Sequence, residues 1–299
     1  MKKLQHILEF WAYVSIEKIT ANLPEKSLKS VAKFFAFLAF RILKIRRDVV
    51  FENLKIAFPE KNFPELYSIA YGCYKHYALM SLEFMKLSRW SPEKLEGMFE
   101  YEADEEIMSW IKGERGFVFV SGHFGNWEVG AAFLSKYFRP CSVIQTRQSN
   151  SWIDNRMANH RRKWGMEIIY RRGAIQNSLK ALKENRLVGL LGDQHIGERG
   201  IFVPFFGRLA STPPGPALLH YRAKTLLTFA YIVRTADFRF KAVVRKVAGP
   251  GDVAEKPEYE KITEAYTKML ENAIRLYPDQ YFWLHKRWKT KYSKFTERM

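Results

Sequence analysis

From residue 1 to 58, apolar positions recur with helical spacing. Leu4, Ile7, Leu8, Trp11, Val14 and Ile19 mark one stripe, and after a break at Pro24 a second runs through Leu28, Val31, Phe35, Leu38, Ile42 and Ile45. Lys18, Lys26, Lys29, Lys33, Arg41, Lys44, Arg46 and Arg47 decorate the other faces, with Phe34, Phe35, Phe37 and Phe40 clustered in the middle. Basic amphipathic helices with an aromatic cluster suit a membrane interface; the same stripes would also suit packing on a domain core. A third helical region runs from Pro64 to Lys86 and ends before Ser91-Pro92.

The pattern changes at Gly116. Phe117 to Val120 is a short aromatic and β-branched run without polar alternation, as expected of a strand buried on both faces. Similar runs follow at 142–144, 167–170, 187–191, 226–233 and 238–247. Helical patterns lie between several of them, notably Ala174 to Glu184 and Pro216 to Ala223, and a last helix is expected from Pro257 to Tyr277. This alternation predicts an α/β fold: a mixed, largely parallel β-sheet flanked by helices, with an N-terminal amphipathic helical extension. No repeat, low-complexity tract or linker interrupts the chain. The expected division is a helical, membrane-associating segment at 1–58 and one larger domain at 59–299.

Charge sharpens this picture. Among 299 residues, 49 Lys and Arg face 31 Asp and Glu, a net charge of +18. Charge alone fits nucleic acid, an anionic membrane or an acidic protein partner. Joined to 23 Phe, 15 Tyr and 8 Trp it favours a membrane interface, where aromatic and basic side chains settle together. No uncharged run reaches the roughly 18 residues that span a bilayer. Glu9 and Glu17 interrupt the first apolar stretch and no small-residue cleavage site follows, so no signal peptide is expected. The expectation is a protein that lies on the cytoplasmic side of a membrane. Cys73 and Cys141 are too few for a disulfide framework and read as buried thiols. The C-terminal tail sets Lys286, Arg287, Lys289, Lys291 and Lys294 among Trp283, Trp288, Tyr292 and Phe295, a pattern suited to lipid headgroups. Single-stranded nucleic acid would also suit it, but no nucleic-acid motif accompanies the tail and none is expected to bind.

The segment richest in chemistry is Ser121-Gly122-His123-Phe124-Gly125-Asn126-Trp127-Glu128, between the strand ending at Val120 and a helical stretch from Val129 to Tyr137. Open α/β sheets gather their ligand and catalytic groups at such carboxyl ends of strands. His123 is a candidate general base. Glu128, at the start of the helix, is placed to return to the imidazole, fix its tautomer and stabilise the imidazolium. Such a base has work where a hydroxyl attacks a thioester and an oxyanion must be held. Ser121 lacks the G-x-S-x-G setting of a nucleophile, neither cysteine neighbours a histidine, and zinc-binding, dinucleotide and P-loop spacings are missing. No metal or cofactor is expected. From the residues alone, a structural histidine remains an alternative.

Gly122 to Glu128 resembles the H-x-x-x-x-(D/E) block of the glycerolipid acyltransferase superfamily. In its GHFGNWE form it is similar to the bacterial lipid A biosynthesis acyltransferases, the late lauroyl and myristoyl transferases. Asn53-Leu54 with Phe58-Pro59-Glu60 resembles that family's N-terminal block, and Arg161 to Gly165 its R-x-x-x-G element. Gly192-Asp193-Gln194, Val203-Pro204-Phe205-Phe206-Gly207 with Thr212, and Trp283-Leu284-His285-Lys286-Arg287-Trp288 resemble its later blocks, all in family order. The resemblance implies transfer of a fatty acyl group from acyl-acyl carrier protein, or acyl-CoA, to a hydroxyl of a lipid A precursor at the cytoplasmic face of the inner membrane. It implies His123 as base with Glu128 as partner, and Asn126, Arg161, Arg162, Asp193 and Gln194 as substrate-binding residues. The charges in the first helices depart from the more hydrophobic start usual in the family and leave the mode of anchoring open. A related transferase with another glycolipid or lysophospholipid acceptor, and a catalytically silent membrane-binding protein, are the competing readings.

Overall fold

The computed structural model describes residues 2–113, 115–253 and 257–290; Lys291, Tyr292, Lys294 and Phe295 of the basic aromatic tail lie outside them. Four helices lead the chain: α1 (Lys2–Asn22), α2 (Glu25–Phe37), continued by a π-helical turn at Leu38–Ile42, α3 (Arg47–Ala57) and α4 (Phe63–Lys86). α4 starts on a reciprocal cap. The Asn62 side chain accepts from the Glu65 amide, the Glu65 carboxylate accepts from the Asn62 amide, and proline follows in the first turn. α2 and α3 pack on α4. The buried Phe40 ring meets Tyr67, Tyr71 and Tyr74 with centroids 5.2, 5.3 and 5.0 Å away.

The stripe read on the first helix is divided. Val14 is buried and Ile7 half-buried, while Leu4, Leu8, Trp11 and Ile19 face outward, each roughly three-fifths exposed. The inward face of α1 includes a charged residue, Glu17, which meets Arg156 and His160 from a later helix. A buried ionic anchor thus turns much of the apolar stripe toward solvent.

Beyond α4 come α5 (Pro92–Glu96), β1 (Phe99–Ala103), α6 (Glu105–Lys112), β2 (Val118–Ser121), α7 (Trp127–Tyr137), β3 (Cys141–Gln145), α8 (Ser151–Lys163) and β4 (Glu167–Tyr170). Next are α9 (Ala174–Lys183), β5 (Leu187–Leu191), β6 (Ile201–Phe205), β7 (Arg208–Thr212), α10 (Gly215–Ala223), β8 (Leu227–Ala236), β9 (Arg239–Ala248) and α11 (Tyr259–Leu276). Seven strands form one sheet in the order β1-β9-β8-β2-β5-β3-β4, parallel at every junction except the β8–β9 hairpin. The α/β expectation holds, with a mostly parallel sheet between helical layers. β6 and β7 form a separate hairpin around Phe206-Gly207.

Alternation along β2 divides the core. Val118 and Val120 face one apolar layer with Tyr266 and Leu270 of α11, while Phe119 faces the other with Val129 and Phe133 of α7. Both cysteines are free and buried. No helix among the described residues is long and apolar enough to cross a membrane.

Candidate active site

The sheet order explains the site. β2 and β5 are parallel neighbours, with Ser121 opposite Leu191 at their carboxyl ends. His123 and Asp193 each lie two residues beyond that last pair, so they emerge side by side. The His123 Nδ1 lies 2.7 Å from Asp193 Oδ1, and the His123 amide donates to Oδ2 of the same carboxylate at 2.8 Å. An ionised carboxylate only accepts, so Nδ1 carries the proton and Nε2 keeps its lone pair. The Gln194 amide nitrogen stands 3.3 Å from Nε2, and the Trp127 ring meets the imidazole edge-on with centroids 5.0 Å apart.

Asp193 is 2% exposed. Burial by itself would push its carboxyl up, but the imidazole, the His123 amide and the nearby Arg287 charge together hold it below the usual value. The His123 loop is pinned from several sides. Tyr77 Oη donates to the His123 carbonyl at 2.6 Å, and the Gly125 and Asn126 amides donate to the Gln280 and Ile232 carbonyls. Gly125 has φ +61°, and a Cβ there would fall 1.5 Å from the Ile232 carbonyl oxygen, so only glycine fits the crossing. His76 Nε2 lies 3.1 Å from the Gly125 carbonyl; burial lowers its pKa to about 4, which keeps the ring neutral.

The structure gives Glu128 a different partner from the one its position in sequence suggests. Arg161, on α8, grips its carboxylate through Nε at 2.9 Å and Nη2 at 2.5 Å, and reaches Gln145 Oε1 with Nη1 at 2.5 Å. The carboxylate at the imidazole is instead that of Asp193. The first turn of α7 points Glu128 toward α8, while the adjacent strand end delivers Asp193 to Nδ1. The two pairs flank the same space.

That space is a cavity of about 590 Å³. His123, Glu128, Arg161, Gln145 and Gln194 line its polar end; Phe119, Leu134, Val143, Met166 and Ile232 line its apolar depth. Three expected contact residues do not line it: Asp193 is buried behind the imidazole, with both carboxylate oxygens on His123, and two sit elsewhere. Asn126 is fully buried: its oxygen accepts from the Val129 amide as the cap of α7, and its amide donates to Glu83 at 2.8 Å. Arg162 is exposed, and its Nη1 donates to Asn159 on its own helix. The arginine that enters the cavity wall is Arg161.

The remaining sequence blocks act as supports. Asn53 donates to the Trp283 and His285 carbonyls at 2.7 and 2.6 Å, tying α3 to the C-terminal segment. Arg287, 1% exposed, donates to the Ser211 carbonyl and the Thr212 hydroxyl behind Asp193. Sequence reasoning missed Gln145, Trp127 and the buried Glu83–Arg234 pair that holds Asn126. Gln145 could have been found, since it ends a strand in a sheet whose carboxyl edge carries the site.

Comparison with known proteins agrees with this geometry. Residues 1–290 match the family described as bacterial lipid A biosynthesis acyltransferase. Among curated relatives, the chain is 24% identical over 288 residues to the lipid A biosynthesis lauroyltransferase of Escherichia coli K12, covering 94% of this chain and 91% of that one. It is 24% identical over 285 residues to the lipid A biosynthesis palmitoleoyltransferase of the same organism, again covering 94% and 91%. It is also 23% identical over 189 residues to the phosphatidylinositol mannoside acyltransferase of Mycolicibacterium smegmatis, covering 62% of this chain and 60% of the relative. A family match that runs through His123, Arg161, Asp193 and the C-terminal supports leaves one assignment: the chain is an acyltransferase and belongs to the bacterial lipid A biosynthesis acyltransferase family.

Proposed function

We propose that the enzyme moves a fatty acyl group from acyl-acyl carrier protein to a hydroxyl of a lipid A precursor, with His123 as general base. The observation that carries this is the Asp193–His123 pair at 2.7 Å, which leaves Nε2 as the accepting nitrogen at the polar end of an apolar cavity. Nε2 takes the proton of the acceptor hydroxyl as its oxygen attacks the thioester carbonyl. The tetrahedral oxyanion collapses, the carbon–sulfur bond breaks, and the imidazolium returns its proton to the departing thiolate. Asp193 keeps the ring in the correct tautomer and stabilises the imidazolium. Gln194 and Arg161 supply N–H groups toward the developing oxyanion, and Glu128 fixes the guanidinium in place.

Residues 1–58 form the membrane-associating segment in this reading. The outward Leu4, Leu8, Trp11 and Ile19 of α1 and Phe34 and Phe37 of α2 enter the interface, and basic residues between them meet anionic headgroups at the cytoplasmic face of the inner membrane. The enzyme lies on that membrane without spanning it. The net charge of +18 also favours encounter with an acidic carrier protein. The mycobacterial relatives favour a second reading, in which the acceptor is another membrane glycolipid.

The test is transfer by purified enzyme, with acyl-acyl carrier protein and acyl-CoA supplied in turn and a lipid A precursor or another glycolipid as acceptor. Acylated lipid A precursor formed faster from the carrier-bound donor is the expected result. Transfer to the other glycolipid alone overturns the acceptor assignment, and equal or faster use of acyl-CoA overturns the donor assignment.

A further inference from the structure

The cavity beside His123 has a definite floor. Along β2, Ser121 and Phe119 share one face, so the wall descends from the polar end at Ser121 to the Phe119 ring. Phe119, Gly189 and Val143 are register partners across β2, β5 and β3 and form one layer of that wall. One layer deeper on the same face lie Leu187 and Cys141, 2% and 0% exposed, packed into the core and outside the cavity lining. The open space therefore ends at the Phe119 layer.

Gly189 determines where the ring can lie. A Cβ at this position would stand 2.3 Å from Phe119 Cζ and 2.8 and 2.9 Å from the adjoining ring carbons. The ring is laid flat over the bare backbone of β5, in space that any other residue at 189 would occupy. Leu134 from α7 and Met166, just before β4, close the end around it, 6% and 2% exposed. This is a rigid stop built from strand and helix side chains.

We propose that the Phe119 ring seated on Gly189, with Leu134 and Met166, fixes the longest fatty acyl chain that the enzyme accepts. The inference rests on the proposed acyl-transfer reading and adds to it the residues that select the donor. An acyl chain enters from the thioester at His123 and runs down the Ser121–Phe119 face, its terminal methyl meeting the ring. A shorter chain leaves apolar wall uncovered, and a longer one clashes with a packed core that yields little.

The two members of the contact make opposite predictions. Phe119→Ala removes the ring and extends the cavity over Gly189, so the preferred donor becomes longer. Gly189→Ala drives the ring off the strand and into the cavity, so the preferred donor becomes shorter. The experiment offers wild type and both variants a mixture of acyl-acyl carrier proteins differing by two carbons at a time, and reads the products by mass spectrometry, with melting temperatures as a fold control. The expected change is about tenfold in the kcat/KM ratio of the donors flanking the wild-type optimum, in opposite directions for the two variants. Folded variants that keep the wild-type profile, or that both shift the same way, overturn the proposal. Should either variant fail to fold, Phe119→Leu and Met166→Phe carry the same opposed predictions. Displacement of a fluorescent fatty acid by free fatty acids of graded length reads the cavity without transfer. Absence of transfer by the wild type, with the opposed length shifts of the variants seen in binding, would therefore count against the proposed reaction and for the floor; unchanged length dependence in binding would count against the floor.

Discussion

Asp193→Asn keeps the shape of the side chain and removes the charge that the site is built around. The carboxylate accepts two hydrogen bonds, from His123 Nδ1 at 2.7 Å and from the His123 amide at 2.8 Å. An amide side chain has one accepting oxygen. If that oxygen keeps the backbone N–H, the amide NH2 faces Nδ1, which must then accept, and the ring proton moves to Nε2. Nε2 is the atom that has to receive the proton of the acceptor hydroxyl. The imidazolium formed on attack also loses its facing anion, and a hydrogen bond to a charged group contributes about 1.5–3 kcal/mol. With the cost of restoring the productive tautomer the barrier rises by about 4 kcal/mol, or roughly a thousandfold in kcat. The assay is steady-state thiol release from the acyl donor in the presence of acceptor, beside a thermal melt, because Asp193 also lies near the buried Arg287 charge. KM should change little. A folded Asp193→Asn enzyme within tenfold of the wild-type kcat would refute the reasoning.

Arg161→Ala strands the Glu128 carboxylate in the cavity wall. Breaking a buried pair costs about 3–5 kcal/mol, to be read in denaturant melts; an unchanged midpoint would show that the pair is not structural. Acid should destabilise the fold well above the carboxylate range. Burial lowers the pKa of His76 and His285 from 6.5 to about 4, and lowers those of His160, His195 and His220 as well. The unfolded chain then binds more protons in this window, so stability is fully present above pH 6.5 and falls as pH drops toward 4. Each fully shifted histidine contributes up to about 1.4 kcal/mol per pH unit. A flat melting temperature between pH 6.5 and 4.5 would contradict this, and His76→Gln should make the slope shallower. Replacing Leu8 and Trp11 together by Glu should weaken sedimentation with anionic vesicles more than tenfold while sparing the melting temperature, since both side chains are exposed. Unchanged vesicle binding would assign the interface to another surface.

The sheet was legible in the sequence because its central strands are buried on both faces and read as unbroken apolar runs, as at Val118 to Val120 and Leu187 to Leu191. The long helix α4 was legible from its periodicity and its Pro64 start. The less regular elements were not. α8 has no apolar stripe; its inward side chains include Asp154, His160 and Arg161, which pair with polar partners on other elements. β1 is a polar edge strand, and β6 carries Pro204 in a hairpin outside the main sheet. The helical register of α1 was legible, but not its outward turn, which depends on the distant Arg156 and His160 meeting Glu17.

The site was legible as a set of residues and less so as a set of partnerships. His123, Glu128, Arg161 and Gln194 line one cavity, as the motifs suggested. The expected link from His123 to Glu128 relied on nearness in sequence, whereas the neighbour of β2 in the sheet is β5, and only the register between them brings Asp193 to the imidazole. Asn126 stands inside the motif for a structural reason, as the cap of α7 and a partner of the buried Glu83.

The central claim is tested most directly by mass spectra of membrane lipids from cells lacking the protein, complemented with wild type or with His123→Ala. The account predicts lipid A lighter by one acyl chain in the deletion strain, restored by wild type and not by His123→Ala expressed to the same level in folded form. Restoration by His123→Ala would contradict the mechanism, and the loss of an acyl group from a different lipid, with lipid A unchanged, would contradict the acceptor.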